Sequence, residues 1–546
     1  MKLSNKVVYQ IYPKSFLDTN GDGIGDFKGV ISKLDYLKDL GIDVIWFNAM
    51  FVSPQKDNGY DVQDYRQINP VYGSMEDFEK LCVESKKRGI DIMLDMVFNH
   101  TSTEHVWFKK ALQNDPKYKN YYIFKKGKED GSAPTNWNSK FGGPAWEYVE
   151  SLNEWYLHLF DVTQADLNWE NPDVRKEMAD IVNYWREKGV HGFRFDVVNL
   201  ISKDKYEDDP NEFDGRQYYT DGPKVHQYIQ ELNKASFGND PDSITVGEMS
   251  STTLENCVKY AGKENNELSM VFTFHHLKVD YKNQQKWNLM PFDFEELKRL
   301  INTWQIGMQE ANAWNALFLN NHDQPRAISR FCDDKKYHYE SATMLATFVH
   351  MMRGTPYIYQ GEEIGMTNAY FTDIEQYRDV ESLNAYNILK ADHVDDDEII
   401  HILQERSRDN SRTPMQWDDS ENSGFTSGTP WISVNKNYKT INVKASLESE
   451  KSIFKYYKEL IQLRKENEVI QEGMYVPYDE SNTSIFGYKR IFEGAEILVL
   501  CNFYGETATV QLDGNYKLVL SNYASKTLET NLQMNPYEAC VLIKEK

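Results

Sequence analysis

At 546 residues, with 40% hydrophobic and 27% charged side chains, the chain is long enough for about two to four domains and has an ordinary soluble composition. The net charge of −23 argues against a nucleic-acid or acidic-membrane partner, and any anionic substrate would need a local basic pocket. Five scattered cysteines without a CxxC pair, no apolar leader and no apolar run of about 18 residues predict a cytoplasmic, soluble protein with free thiols, no zinc motif and no membrane span.

The first apolar segment, "VVYQIYP" (7–13), leads into "DTNGDGIGD" (18–26). This stretch sets oxygen donors at Asp18, Asn20, Asp22, the Ile24 carbonyl and Asp26. An EF-hand would also need a bidentate Glu twelfth in the loop and a helix on each side. The twelfth residue is Gly29, and a strand precedes the loop, so a calcium sensor is ruled out. Two readings remain: a hard, oxygen-only cation site favouring structural Ca²⁺ over Mg²⁺, or an Asp/Asn/Gly turn without metal. No organic cofactor is expected.

Further strands follow at "VIWFNAM" (44–50), "DIMLDMVFNH" (91–100), "GFRFDVV" (192–198), "ITVGEMS" (244–250), "LSMVFTF" (268–274), "NALFLNNHD" (315–323) and "TPYIYQGEE" (355–363). Helical patterns separate most of them, as at 29–41, 171–189 and 291–304, and Gly41, Gly89 and Gly189 stand where left-handed helix ends are wanted. Eight β/α repeats predict an α/β fold, a closed (β/α)8 TIM barrel. Residues 101–170, rich in Trp, Tyr, Asn and Gly, are too long for a plain loop and read as an inserted subdomain after the third strand. A second insertion covers roughly 366–450, and a last barrel helix covers 451–466. Period-2 segments then predict a C-terminal antiparallel β-sandwich over 469–546. The barrel is thus assigned to 1–100 and 171–468.

The strand ends carry Asp95, Asn99 and His100 from the third strand and Arg194 and Asp196 from the fourth. The fifth adds Glu248, and the seventh His322 and Asp323. Asp95 or Arg194 alone would read as an internal ion pair. Four strands bringing such residues to one mouth point to a catalytic site. Three carboxylates, two histidines and an arginine fit glycoside hydrolysis, with one carboxylate as nucleophile and one carboxyl as proton donor. An aromatic content of 14% divides between core filler and faces on which sugar rings can stack.

"DMVFNH", "GFRFDVVN", "TVGEMS", "FLNNHDQPR" and "QADLNW" (164–169) resemble the signature segments of the α-amylase superfamily, glycoside hydrolase family 13, in order, spacing and strand placement. The resemblance covers essentially the whole chain. It implies a retaining mechanism with Asp196 as nucleophile, Arg194 keeping it ionised, Glu248 as acid and base, and Asp323 with His100 and His322 holding sugar hydroxyls. It also implies that Asp57 and Arg412 pair across the pocket floor of an exo-acting enzyme, with Tyr60 stacked beneath the terminal glucose. Val197 matches relatives that accept α-1,6 bonds, and the first loop matches a calcium loop. The second strand departs from the family at "WFNAMFVSPQ", where relatives more often carry Leu after the Trp and a Pro two residues on.

Within the family, "TNWNSKFGGPAWEY", "DVVNLISKD", "YYTDGP", "ELSMVFTFHHLKVDY" and "TPYIYQGEEIGMTN" resemble the branch that hydrolyses α,α-trehalose 6-phosphate to glucose and glucose 6-phosphate. The neighbouring branch, oligo-1,6-glucosidases acting on neutral α-1,6-glucosides, is the alternative. The loop "HHLKVDYKNQQKW" (275–287) holds Lys278, Lys282 and Lys286 in an acidic chain. These lysines are either solvated surface residues or the seat of a phosphate, with Lys278 first and Lys286 second. The expected partner is therefore a small phosphorylated disaccharide, and a monomer is favoured. A non-catalytic relative would have lost Asp196 or Glu248, and a transglycosylating isomerase would differ in product rather than in motif.

Overall fold

Residues 2–211, 214–524 and 526–545 are described by the structure, a computed structural model. Eight parallel strands occupy the predicted places: β1 (Val8–Ile11), β2 (Val44–Phe47), β3 (Asp91–Met96), β4 (Gly192–Phe195), β5 (Ile244–Met249), β6 (Met270–Thr273), β7 (Ala316–Leu317) and β8 (Thr355–Tyr359). From β1 to β6 each strand pairs with the next, β8 pairs with both β7 and β1, and a single parallel bridge, Val271 to Asn315, joins β6 to the start of β7. The ring is a TIM barrel. Nearly every strand is shorter than its apolar run because its last residues leave the ladder. After β7, for example, the Asn321 side chain accepts the Asp323 amide hydrogen, and the chain turns before it can pair.

The helix expected over 29–41 is two helices, Phe27–Ser32 and Leu34–Leu40, broken at Lys33 and ended by Gly41 at φ 99°. Asp26 caps the first of them by accepting the Gly29 N–H. The segments expected over 171–189, 291–304 and 451–466 form helices Pro172–Glu187, Phe294–Glu310 and Ile453–Glu466. The aromatic departure after β2 is absorbed by packing: Phe47 and Phe51 are buried, and Phe51 stacks on Trp185 at 5.2 Å.

The insertion after β3 rises on a two-stranded stalk in which His100–Ser102 pairs antiparallel with Gln164–Asp166. Above it is a three-stranded antiparallel sheet, Phe124–Lys125, Glu154–Leu157 and Trp146–Val149. Its core, with Trp137, Trp146 and Leu157, packs on Val197, Leu200 and Tyr219, so the subdomain is seated on the chain that follows β4. The second insertion contributes helices Val380–Ala391 and Asp396–Arg406. A short helix, Asp409–Arg412, then leads back to the mouth. At the C-terminus a five-stranded and a two-stranded antiparallel sheet enclose Leu498, Leu500, Val510 and Leu532. Among the described residues no helix is long and apolar enough to cross a membrane.

Candidate active site

The arrangement is built around Arg194, which β4 buries to 1% exposure. Its Nη1 lies 2.6 Å from Asp95 Oδ1 on β3 and 2.6 Å from Asp196 Oδ1, and its Nη2 contacts Glu248 Oε2 on β5. Burial alone would favour the neutral guanidine, but Asp95, Asp196 and the Tyr60 hydroxyl outweigh it and hold the Arg194 pKa above its ordinary value. Asp95 also accepts hydrogen bonds from the Tyr60 hydroxyl at 2.8 Å and the Trp46 indole at 3.3 Å. One guanidinium thus holds the carboxylates of Asp196 and Glu248 side by side. Val197, the next residue, is in the left-handed region at φ 35°, a costly conformation for a β-branched side chain. The turn takes the main chain away from the barrel axis and leaves Asp196 on the cavity wall.

His322 and Asp323 follow β7. The His322 ring lies flat on Tyr60, with centroids 5.2 Å apart and an interplanar angle of 7°. Burial pushes His322 down to about 3 despite the Asp323 charge, so the ring is neutral. Its Nδ1 accepts from the Gln10 amide at 3.0 Å, which leaves Nε2–H to face Asp323 Oδ2 at 3.2 Å. Gln10 donates in addition to Asn48 at 3.0 Å, and Asn48 donates to the Tyr60 hydroxyl at 2.6 Å. Partial burial would raise the Asp323 pKa, but His322, Arg408, Arg412 and Arg194 hold it well below the carboxylate range. His100 lies 3.1 Å from the Tyr60 carbonyl, and burial lowers it against the pull of Asp166 and Asp196.

The expected pair between Asp57 and Arg412 does not form. Arg408 Nη2 lies 3.2 Å from Asp57 Oδ1, and its Nη1 lies 3.2 Å from Asp323 Oδ1. Arg412 instead reaches Asp323 at 2.9 Å, Asp379 at 3.3 Å and the His322 carbonyl at 3.0 Å. The two arginines flank one short helical turn, four residues apart, and so project from the same face. Gln164, on the subdomain stalk, was not singled out from the sequence. Its amide donates to Asp57 Oδ2 at 3.0 Å and to the Tyr60 carbonyl at 3.2 Å.

These side chains wall a cavity of about 260 Å³ that Asp196, Glu248 and Asp323 share with Lys278 and Lys286. Lys278 makes no ion pair among the described residues, and burial, then Arg216, lowers its pKa. Lys286 is neutralised: its Nζ lies 2.5 Å from Glu381 Oε2. Lys282 is exposed in a short turn. A further cation that the sequence reading passed over, Lys140 of the inserted subdomain, also lines the cavity.

In the first loop, Asp18 Oδ1 accepts the N–H groups of Asn20 and Gly21, and Oδ2 accepts that of Gly23 and the Thr426 hydroxyl. Asn20 and Asp22 fold onto the same turn, joined at 3.1 Å, and Asp22 accepts the Ile24 N–H at 2.9 Å. The Asp26 carboxylate accepts the Thr19 N–H and hydroxyl and the Gly29 N–H. Among the described residues no three His, Cys, Asp or Glu side chains form a metal cluster. Asp18 and Asp26 are thus both engaged by N–H and hydroxyl donors, while Asp18, Asn20, Asp22 and Ile24 share one turn.

Residues 10–473 match the alpha amylase catalytic domain, and residues 485–541 match the alpha-amylase SusG C-terminal domain. The chain is 53% identical to trehalose-6-phosphate hydrolase of Bacillus subtilis (strain 168) over 543 residues, covering 98% of this chain and 97% of the relative. It is 48% identical to oligo-1,6-glucosidase of Parageobacillus thermoglucosidasius over 550 residues, covering 98% and 97%. The crystal structure of Bacillus licheniformis trehalose-6-phosphate hydrolase superposes with a TM-score of 0.95 at 52% identity, covering 99% of both chains. With its strand-end carboxylates gathered on one arginine and this likeness along its length, the chain belongs to the alpha-amylase family of glycoside hydrolases, family 13.

Proposed function

We propose that the protein is a retaining, exo-acting α-glucosidase that hydrolyses α,α-trehalose 6-phosphate to glucose and glucose 6-phosphate. The observation that carries the substrate choice is Lys278: an ammonium without a carboxylate partner among the described residues, on the wall of the cavity that holds Asp196 and Glu248, in a chain of net charge −23. A neutral disaccharide gives such a cation nothing to pair with; a phosphate does. The likeness to trehalose-6-phosphate hydrolases supports the same choice.

In this reading Asp196, ionised beside Arg194, attacks the anomeric carbon of the unphosphorylated glucose. Glu248 gives its proton to the bridging oxygen, and glucose 6-phosphate leaves. Water, deprotonated by Glu248, then opens the β-glucosyl ester and releases α-glucose. Asp323, oriented by neutral His322, accepts sugar hydroxyls and favours the oxocarbenium-like state. The Asp57–Arg408 pair bridges two lining segments of the cavity, which supports removal of one terminal glucose at a time. The first loop is proposed to hold Ca²⁺ as a structural clip through Asp18, Asn20, Asp22 and the Ile24 carbonyl. The ion would supply charge neutralisation to the turn and no catalytic chemistry.

Initial rates on trehalose 6-phosphate, trehalose and isomaltose test the proposal. The phosphorylated disaccharide is expected to give the highest kcat/KM. A higher value for isomaltose would replace it with the neutral α-1,6-glucosidase reading, which the oligo-1,6-glucosidase relatives keep in view.

A further inference from the structure

We propose that Lys140, carried by the inserted subdomain, is the second arm of the phosphate subsite opposite Lys278, and that Lys286 has no part in it. This rests on the reading that the leaving sugar carries a phosphate.

Lys140 lines the cavity together with Glu248, Ser250 and Lys278. Its Nζ lies 3.5 Å from Ser250 Oγ and 5.3 Å from the centroid of the Tyr219 ring, and among the described residues it meets no carboxylate at ion-pair distance. Burial, then Arg216 and Lys278, pushes its pKa down to about 8. Two half-buried ammonium groups therefore repel each other on the lining of one cavity. Buried cations are ordinarily paired, and a like-charged pair in a poorly solvated space is unfavourable until an anion enters between them. Lys286 differs in kind, because Glu381 already satisfies it.

The position is also built rather than incidental. The Lys140 N–H donates to the Leu159 carbonyl at 2.9 Å, and the adjoining Ser139 hydroxyl donates to the Phe160 carbonyl at 2.6 Å. Phe141, the next residue, packs its ring against the Arg408 guanidinium at 5.0 Å, on the wall that closes over the terminal glucose. Ser250, nearest to Lys140, follows the proposed acid Glu248 by two residues. The ammonium thus stands on the side where the acid meets the leaving group, and a phosphate there belongs to the leaving sugar. Adjacent residues of one loop address the two halves of the substrate.

The test uses the full-length enzyme and the variants K140Q, K140R and K286Q, with kcat/KM measured for trehalose 6-phosphate and 4-nitrophenyl α-glucoside. In K140Q the ratio of the two values should fall about tenfold or more, the loss expected for one charge-assisted contact. K140R should restore most of the ratio, and K286Q should shift it far less than K140Q does. A proportionate fall on both substrates, or no change in the ratio, would overturn the role of Lys140. Inhibition of aryl-glucoside hydrolysis by inorganic phosphate reads the subsite without the disaccharide. Phosphate should inhibit the wild type and be several-fold weaker on K140Q; equal inhibition constants would sink the inference. A wild type that binds phosphate through Lys140 yet prefers isomaltose would refute only the proposed substrate.

Discussion

Arg408 Nη2 stands 3.2 Å from Asp57 Oδ1, while Arg412, one helical turn further on, turns instead to Asp323 and Asp379. Arg408 also reaches Asp379 at 2.5 Å and Asp323 at 3.2 Å, so its charge ties Asp57 to the carboxylate after β7. Removing it leaves Asp57 buried against Gln164 alone. The R408A variant should lose about 10²- to 10³-fold in kcat/KM on trehalose 6-phosphate and on an aryl α-glucoside alike, because breaking one side of a buried ion pair costs about 3–5 kcal/mol. Arg412 supports the His322 carbonyl as well, so R412A should also lower Tm more than R408A does. Selective loss on the phosphorylated substrate in R408A would move Arg408 out of the glucose end of the cavity.

The roles proposed for the two carboxylates on Arg194 differ in what a good leaving group can replace. D196N lacks the nucleophile and should fall by at least about 10⁴-fold on every α-glucoside. E248Q should fall about 10²- to 10⁴-fold on the disaccharide, whose departing oxygen needs a proton. It should form the glycosyl-enzyme readily from 4-nitrophenyl α-glucoside, since nitrophenolate leaves unprotonated. Azide, which needs no base, should then accelerate E248Q and give α-glucosyl azide. In the wild type, proton NMR of the first product should show α-glucose. A β-anomer would contradict the proposed retaining mechanism.

Those strand-end carboxylates were legible because charged residues inside apolar strands have few stable uses, and four strands carry them to one end. The eight strands and the inserted subdomain were legible for a similar reason: period and length leave few alternatives. The choice between Arg408 and Arg412 was not, because a four-residue spacing puts both on one helical face and only the position of Asp57 decides between them. The pairing of Lys286 was not legible because its partner, Glu381, comes from the second insertion, far along the chain. Gln164 was overlooked because the stalk pairing of His100–Ser102 with Gln164–Asp166 seats it, and Lys140 because its place is set by a bond to the Leu159 carbonyl; no local pattern marks either.

The first loop separates ion binding from turn formation at Asp22. Asp18 accepts three backbone N–H groups, so its removal weakens the turn with or without a metal. Asp22 is exposed, and its one backbone bond, from the Ile24 N–H at 2.9 Å, is kept by asparagine. If calcium is held there, EDTA should lower Tm of the wild type, added Ca²⁺ should restore it, and D22N should lose most of that response because a ligand charge is gone. An EDTA response equal in wild type and D22N, or none in either with no calcium found by elemental analysis, would leave the loop as a hydrogen-bonded turn.

Part of the acid sensitivity should arise well away from the catalytic carboxylates. His350, at the end of helix His338–His350, is 1% exposed, has no hydrogen-bond partner at either ring nitrogen among the described residues, and sits edge-on to Tyr457 at 5.4 Å. Burial, then Arg464, pushes its pKa down to about 3. An unfolded histidine takes its proton near pH 6.5, so below that pH the unfolded chain binds more protons than the folded one. Stability is then fully present above about pH 6.5 and falls toward pH 3, by up to about 1.4 kcal/mol per pH unit for this one group. His322 and His105, lowered to about 3, and His275 and His276, lowered to about 4, act in the same direction. Replacing His350 by leucine removes one of these sites and two unpaired polar atoms at similar volume. The drop in Tm between pH 7 and pH 5, at a fixed scan rate, should be smaller in H350L than in the wild type. An equal drop would mean that His350 gains a partner or a proton in the folded protein, contrary to its dry setting beside Arg464.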